Sequence, residues 1–403
     1  MKLLRRTWRN LGMENNWKEF LIEDLCSIRR GASPRPIKDF IKPDGVIPWV
    51  KISDATASDS RYITRTGDKI IELGRNKSVE VTKGDLILSN SATPGLPKIM
   101  KIDACIHDGW LLLREFKGIL KEYMYYLLIN ERERIVGYAN GTVFQNLKTD
   151  ILRKFKVKIP EIEEQRKIVS ILSSLDDKIE LNNEMNKTLE EIAQAIFKSW
   201  FVDFEPFKGG GFEESELGMI PKEWKTKELK SICQINMGQS PSSETYNDES
   251  NGLPFYQGIR DFTERFPLVT TYCSDPKKVA EKGDILLSVR APVGSLNIAI
   301  ESCCIGRGVA SIKSELYGNN FIYYLLKNIK WNRYESGTVF SSIKKSDIQN
   351  YKIIVPSMDV IKRFNKLVKP LDNSIYNNSM ENIELRQIRD ALLPKLISGE
   401  IKL

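Results

Sequence analysis

The chain has 403 residues, 41% of them hydrophobic and 28% charged, which is ordinary for a water-soluble protein of two or more domains. No apolar run reaches the length of a membrane span, so a cytoplasmic protein without a membrane partner is expected. The net charge of +8 favours an anionic partner, while six Cys without a CxxC and a single His, His107, argue against a zinc site.

In chain order, residues 1–16 are basic and lack an apolar signal core. They read either as a disordered arm or as the product of an upstream start codon, with Met13 the true start. Residues 1–160 form this arm and a first strand-rich domain. Within it, GDLILS (84–89) is a short buried-strand pattern introduced by a Lys-Gly-Asp turn. KEYMYYLLINERERI (121–135) reads as one helix, and KFKVKIP (154–160) as a last strand closed by Pro.

Residues 161–208 follow a different period. Ile168, Leu172, Leu175, Ile179, Asn182, Asn186, Leu189, Ala193, Ile196 and Trp200 are spaced alternately four and three apart, the seam of a coiled coil. Its middle is polar, at Asn182 and Asn186. A Gly- and Pro-punctuated stretch, PFKGGGFEESELGMIPKEW (206–224), reads as a flexible connection.

Residues 209–356 then repeat the first domain. WKEFLIEDLCSIRRGASP aligns with WKTKELKSICQINMGQSP (224–241), VTKGDLILSNSATPG with AEKGDILLSVRAPVG (280–294), and GTVFQNLKTDILRKFKVKIP with GTVFSSIKKSDIQNYKIIVP (337–356). Cys26 and Cys233 fall at equivalent apolar positions and are expected in the core. GNNFIYYLLKNIKW (318–331) supplies the second domain's helix. Residues 357–403 repeat the seam at Phe364, Val368, Leu371, Ile375, Asn378, Asn382, Leu385, Arg389, Leu392 and Leu396. Only Arg389 departs from the apolar type. Pro394 is expected to kink or end this helix.

Two matching seams make each helix the natural partner of the other. Antiparallel packing about the shared midpoint sets Asn182 near Asn382 and Asn186 near Asn378, and buried Asn selects one register. Parallel packing would also match the Asn pairs. The fold class is α+β, a domain-plus-helix unit occurring twice. A coil of about 33 residues spans on the order of 50 Å, against about 34–36 Å for one DNA turn, so the two domains suit two segments of one duplex.

Candidate DNA contacts are loop tips that differ between copies while the scaffold agrees. After the Lys-Gly-Asp strands come Asn90, Ser91, Thr93 and Lys98 in one copy and Arg290 in the other. Lys51, Ser53 and Asp54 correspond to Gln257 and Arg260. Thr142, Gln145 and Asn146 correspond to Thr338, Ser341 and Ser342, and Asp108 aligns with Arg307. Arginine suits guanine O6/N7 and asparagine suits adenine N6/N7. Enzyme motifs are absent. FKGGG (207–211) imitates a methyltransferase opening, but the chain has no Pro-Pro; Asp108, Glu115 and Lys117 only caricature a nuclease site; no Walker A motif occurs.

The chain resembles the specificity subunit of Type I restriction–modification systems over nearly its whole length. EEQRKIVSILSSLDDKIELNN (163–183) and AIFKSWFVDFEPF (195–207) look like the family's central conserved region, LRQIRDALLPKLISGEI (385–401) like its C-terminal one, and SELGMIPKEWKTKEL (215–229) like the start of a target recognition domain. The resemblance implies two such domains joined by an antiparallel helix pair, with each domain reading half of a bipartite DNA site. It implies no catalytic centre and no cofactor in this chain. Two modification subunits would use S-adenosylmethionine to methylate adenine N6, and two restriction subunits would use ATP and Mg. Trp200, Phe201 and Phe204 are candidates for docking such partners, or for packing the domain on the coil. The competing reading is a stand-alone DNA-binding or anti-restriction protein.

Overall fold

The computed structural model describes residues 17–57, 60–139, 146–331 and 342–403. They divide into two compact units, one made of the residues up to Leu181 with Glu381–Leu403, the other of Asn182–Met380. Among the described residues the four longest helices are α1 (Lys121–Asn130), α2 (Ile162–Phe201), α3 (Asn319–Lys327) and α4 (Met358–Ile397). The division between units falls inside α2 and α4, so each unit owns half of each long helix.

In the first unit, Leu86–Ser89 is buried at all four positions and therefore lies inside its sheet, as an uninterrupted apolar run requires. The sheet order is Ser27–Arg30, Trp110–Arg114, Leu86–Ser89, Pro97–Met100 and Tyr62–Ile63, antiparallel except for the last pair. A second sheet runs Asp68–Ile70, Ile47–Val50, Ala104–Ile106, Val79–Val81, with its central pair parallel. The second unit repeats this plan. Gln234–Met237, Val309–Lys313, Ile285–Ser288 and Leu296–Ile298 form an antiparallel sheet. Leu253–Tyr256 and Cys303–Ile305 form the parallel centre of the other. In each unit the opening strand pairs with the closing one, Lys18–Leu21 with Lys156–Ile159 and Lys225–Glu228 with Lys352–Val355. The closing strand leads into a long helix, so this pairing roots α2 and α4 in their domains.

Packing within each unit fixes the direction of the helix pair. In the first, Asp176 of α2 bonds Arg389 of α4 at 2.7 Å and Lys178 pairs with Glu381 at 3.2 Å. In the second, the Asn378 amide donates to Asn186 Oδ1 at 3.0 Å, and further along Arg265 joins Glu190 of α2 to Asp372 of α4. The α2 numbers rise as the α4 numbers fall, so the helices are antiparallel. Asn182 and Asn382 are buried. Arg389, the odd member of its seam, is accounted for by its partner: Asp176 is 5% exposed at its side chain, and a buried carboxylate requires a counter-charge.

Cys26 and Cys233 are buried, and each thiol donates to the carbonyl four residues earlier. Burial pushes both thiols up to about 12. Other details differ from the sequence reading. The helix expected over 121–135 is broken at Glu131 into α1 and Arg132–Ala139. The connection after α2 is structured: a 3-10 turn over Glu205–Gly210 leads into a hairpin of Phe212–Ser215 and Gly218–Pro221. Gly211 and Gly218, at φ of +80° and +102°, supply the bends, and Phe204 packs its ring on Phe212 and Trp224. Pro394 does not stop α4 where it stands; the helix continues to Ile397 and closes beside Gly399 at φ +73°. Among the described residues no helix is long and apolar enough to cross a membrane.

Candidate nucleic-acid interface

In both units the same three loops meet at the end of the parallel strands, and the same backbone hydrogen bonds tie them together. Asn90 N donates to Gly109 O at 2.8 Å, as Val289 N does to Gly308 O at 2.9 Å. The carbonyls of Asn90 and Val289 accept from Leu147 and Ile343, which follow the GTVF segments, at 2.8 and 2.9 Å. The Lys-Gly-Asp loops close identically too. Ser288 Oγ accepts from Ser295 N at 2.8 Å and donates to Pro292 O at 2.9 Å; Ser89 Oγ accepts from Leu96 N at 2.9 Å and donates to Thr93 O. The sequence placed these loops far apart in the chain, and the fold brings them to one edge in each unit.

Positions equivalent between units differ there in chemistry. In the second unit Gln257, Arg260, Arg290, Arg307 and Ser342 are all exposed. Arg290 forms a bridge to Ser342. In the first unit Ser53 and Asn146 are exposed, and Lys51, Ser91 and Thr93 are half-buried. Lys51 is ion-paired with Asp68. Thr142, Gln145, Thr338 and Ser341 lie outside the described residues.

Three of the proposed contacts are occupied in holding the scaffold. Asn90 is 3% exposed, and its amide donates to Asp108 O at 3.1 Å. Lys98 is 4% exposed, with its ammonium on Ser60 O. Asp54 uses one carboxylate oxygen on Lys51 N at 2.7 Å and the other on Gly67 N at 2.9 Å, fastening a turn. A base edge cannot reach a side chain already enclosed by protein, so Asn90 and Lys98 shape the loop. Phe201 is likewise a core residue of the second unit, with its ring 5.2 Å from Phe321 and 5.0 Å from Phe364. Trp200 packs on Phe207 and Phe364, so this aromatic end of α2 cements helix to domain.

Two sets of residues escaped the sequence reading. The first is a pair of serines, Ser33 and Ser240, each two residues beyond an aligned glycine. Ser33 Oγ donates to Asp108 Oδ1 at 2.5 Å, and Arg35 lies 3.3 Å from the other oxygen. Ser240 Oγ instead accepts from Arg307 N and Nε, both at 3.2 Å. The aligned GASP and GQSP segments carried the signal, but their charged partners lie some 70 residues away. The second set anchors each domain to its helices. Arg265, 5% exposed, bonds Glu190 at 2.5 Å, Asp372 at 2.5 Å and Tyr324 at 3.0 Å. Arg61 reaches Asp177 and Tyr126, and Tyr126 donates to Asp176 at 2.7 Å. Burial would raise the Glu190 carboxyl, but the Arg265 and Lys327 charges outweigh it and hold the group below the usual range.

Comparison with known proteins agrees with this architecture. The family model described as Type I restriction modification DNA specificity domain matches twice, at residues 14–191 and 221–387. The chain is 32% identical to the Type I restriction enzyme MjaIX specificity subunit of Methanocaldococcus jannaschii, over 96% of this chain and 94% of that protein. It is 35% identical, with the same coverage, to the putative MjaX specificity subunit of that organism. A crystal structure of the S subunit of a Type I restriction–modification system from M. genitalium shares the fold at a TM-score of 0.57 and 18% identity, covering 96% of this chain and 97% of that one. With both copies of the domain matched and full-length relatives above 30% identity, the chain belongs to the family of Type I restriction–modification specificity subunits.

Proposed function

We propose that this chain is the non-catalytic DNA-recognition subunit of a Type I restriction–modification complex, each domain reading one half of a bipartite, asymmetric site. The observation that carries the reading is the doubled loop edge: one set of backbone hydrogen bonds, kept in both units, holds two different sets of polar tips. Lysine and arginine around the edges anchor phosphates, and the tips read bases. The antiparallel helix pair sets the spacer between half-sites. It docks two modification subunits, which supply S-adenosylmethionine-dependent adenine methylation. Two restriction subunits supply ATP- and Mg-dependent translocation and cleavage. Such a protein works in the cytoplasm.

The test is adenine-methylome sequencing of a methylation-free host expressing the chain with its modification subunit. A single bipartite motif methylated on both strands is expected. Exchanging residues 209–356 for another such domain changes one half-site only. Adding one heptad to both helices changes the spacer and spares both half-sites. A complex that forms but leaves every adenine bare, with no sequence-specific binding to duplex DNA, sinks the reading.

A further inference from the structure

Arg307 stands on a backbone hydrogen-bonded on both sides: Gly306 N donates to Tyr256 O at 2.9 Å and Gly308 N to Gln257 O at 3.1 Å. A Cβ on Gly306 would lie 2.2 Å from Gln257 Oε1, one on Gly308 would lie 2.4 Å from Gln257 O, and one on Gly238 would lie 2.2 Å from Gly306 O. Real Cβ atoms do not come so close to backbone oxygens, so glycine at 238 and 308 is what lets these segments approach around Arg307. The side chain is then fastened at its root. Ser240 Oγ accepts from Arg307 N and Nε, both at 3.2 Å, and its O–H donates to the Gln257 amide oxygen Oε1 at 3.0 Å. Arg307 is exposed, and its one side-chain hydrogen bond among the described residues leaves from Nε, so that bond uses neither terminal nitrogen of the fork.

A phosphate anchor needs only a charge within reach, and a loose lysine serves. A planar fork whose Nε is tied and whose flanking backbone is hydrogen-bonded on both sides is arranged for a partner of fixed, flat, two-acceptor geometry. On duplex DNA that partner is the O6/N7 edge of guanine in the major groove. We infer that Arg307 is the guanine-reading side chain of the second unit, with Ser240 and Gln257 as its positioning residues. The inference rests on the proposed function. It also names a counterpart: in the first unit the same serine position holds the Asp108 carboxylate, which accepts hydrogen bonds and cannot serve a guanine edge.

Three measurements on the full chain with its modification subunit test it. First, the half-site that changes when residues 209–356 are exchanged must contain a G·C pair; a half-site built only of A·T pairs overturns the inference. Second, Arg307→Ala and Arg307→Lys are both expected to relax one guanine of that half-site, by on the order of 10- to 100-fold in methylation preference, with the other half-site unchanged. Ser240→Ala relaxes the same guanine partially, and Ser240→Thr restores it. If Arg307→Lys keeps the wild-type motif, Arg307 is a phosphate anchor and the inference fails. Third, 7-deazaguanine at that position, tested on the unmutated complex, removes the N7 acceptor without disturbing the protein. Loss of affinity is expected; unchanged affinity at every guanine of the half-site overturns the inference even if the variants do not fold. If the unmutated chain gives no bipartite motif, the proposed function itself falls. If it gives one that Arg307 does not affect, only this inference falls.

Discussion

The two units solve the same mechanical problems with the same residue types and then part company at small distances from them. Each domain is fixed to its helices by a buried arginine and a tyrosine on a helix carboxylate, Arg61 and Tyr126 in one unit, Arg265 and Tyr324 in the other. The partners differ in burial. Asp177, opposite Arg61, is 65% exposed at its side chain, whereas Glu190 and Asp372, opposite Arg265, are 16% and 8% exposed. The turn that opens the central strand differs in the same way. Asp85 is paired bidentately with Arg114, while at the equivalent turn Lys313 goes to Glu281 and leaves Asp284 with the Glu281 backbone N–H. Backbone geometry survives such exchanges because hydrogen bonds between main-chain atoms do not depend on side-chain identity. Local charge does not survive them, so stability and readout can diverge on one scaffold.

The largest expected effect breaks the anchor comparison. Arg265→Met removes the shared counter-charge of two buried carboxylates, leaving Glu190 with Lys327 and Asp372 with hydrogen bonds only, and is expected to destabilise the second unit by about 3 kcal/mol. Arg61→Met leaves Asp177 free to reach water and costs about 1 kcal/mol. Denaturant melts, with hydrogen exchange to locate the loss, distinguish them; equal losses in both units would remove the distinction.

The turn aspartates come next. Burial alone would raise Asp85, but its hydrogen bond to Arg114 and the Thr82 turn bring it below the ordinary value, so its ionised form stabilises the fold at neutral pH. Burial raises Asp284, whose carboxylate is therefore less favoured in the folded state than in the unfolded chain. Asp85→Asn is expected to cost about 1–2 kcal/mol at pH 7, and Asp284→Asn to be neutral or mildly stabilising. A loss at Asp284 as large as at Asp85 would contradict the assignment.

The smallest effect is one of pH. Glu190 sits below its ordinary value of 4.5 in the folded state, so its contribution is present above that pH and is lost as pH falls through the lower folded value. Glu190→Gln should therefore flatten the acid limb of the second unit's stability curve and leave the first unit's unchanged. Thermal melts between pH 3 and 6 read this directly.

The doubled domain, the α+β class and the matched seams with their central asparagines were legible in the sequence, because each depends on local period or on self-similarity that a linear alignment exposes. The residues 206–224 misled, since Gly and Pro mark a turn as readily as a loose tether, and only the packing of Phe204 and Phe212 distinguishes them. Loop composition put Arg290 and Arg307, which are exposed, in one group with Asn90 and Lys98, which are enclosed. Burial is a property of what lies across a gap, and no residue carries that information about itself. For the same reason Ser33, Ser240, Arg61 and Arg265 went unnoticed: their partners are remote in sequence and adjacent only after folding. Local period and internal similarity suffice to establish that one scaffold occurs twice and is strung on two matched helices. Which polar side chains are spent on holding that scaffold and which remain exposed emerges only on folding, because that division follows from contacts across the chain and not along it.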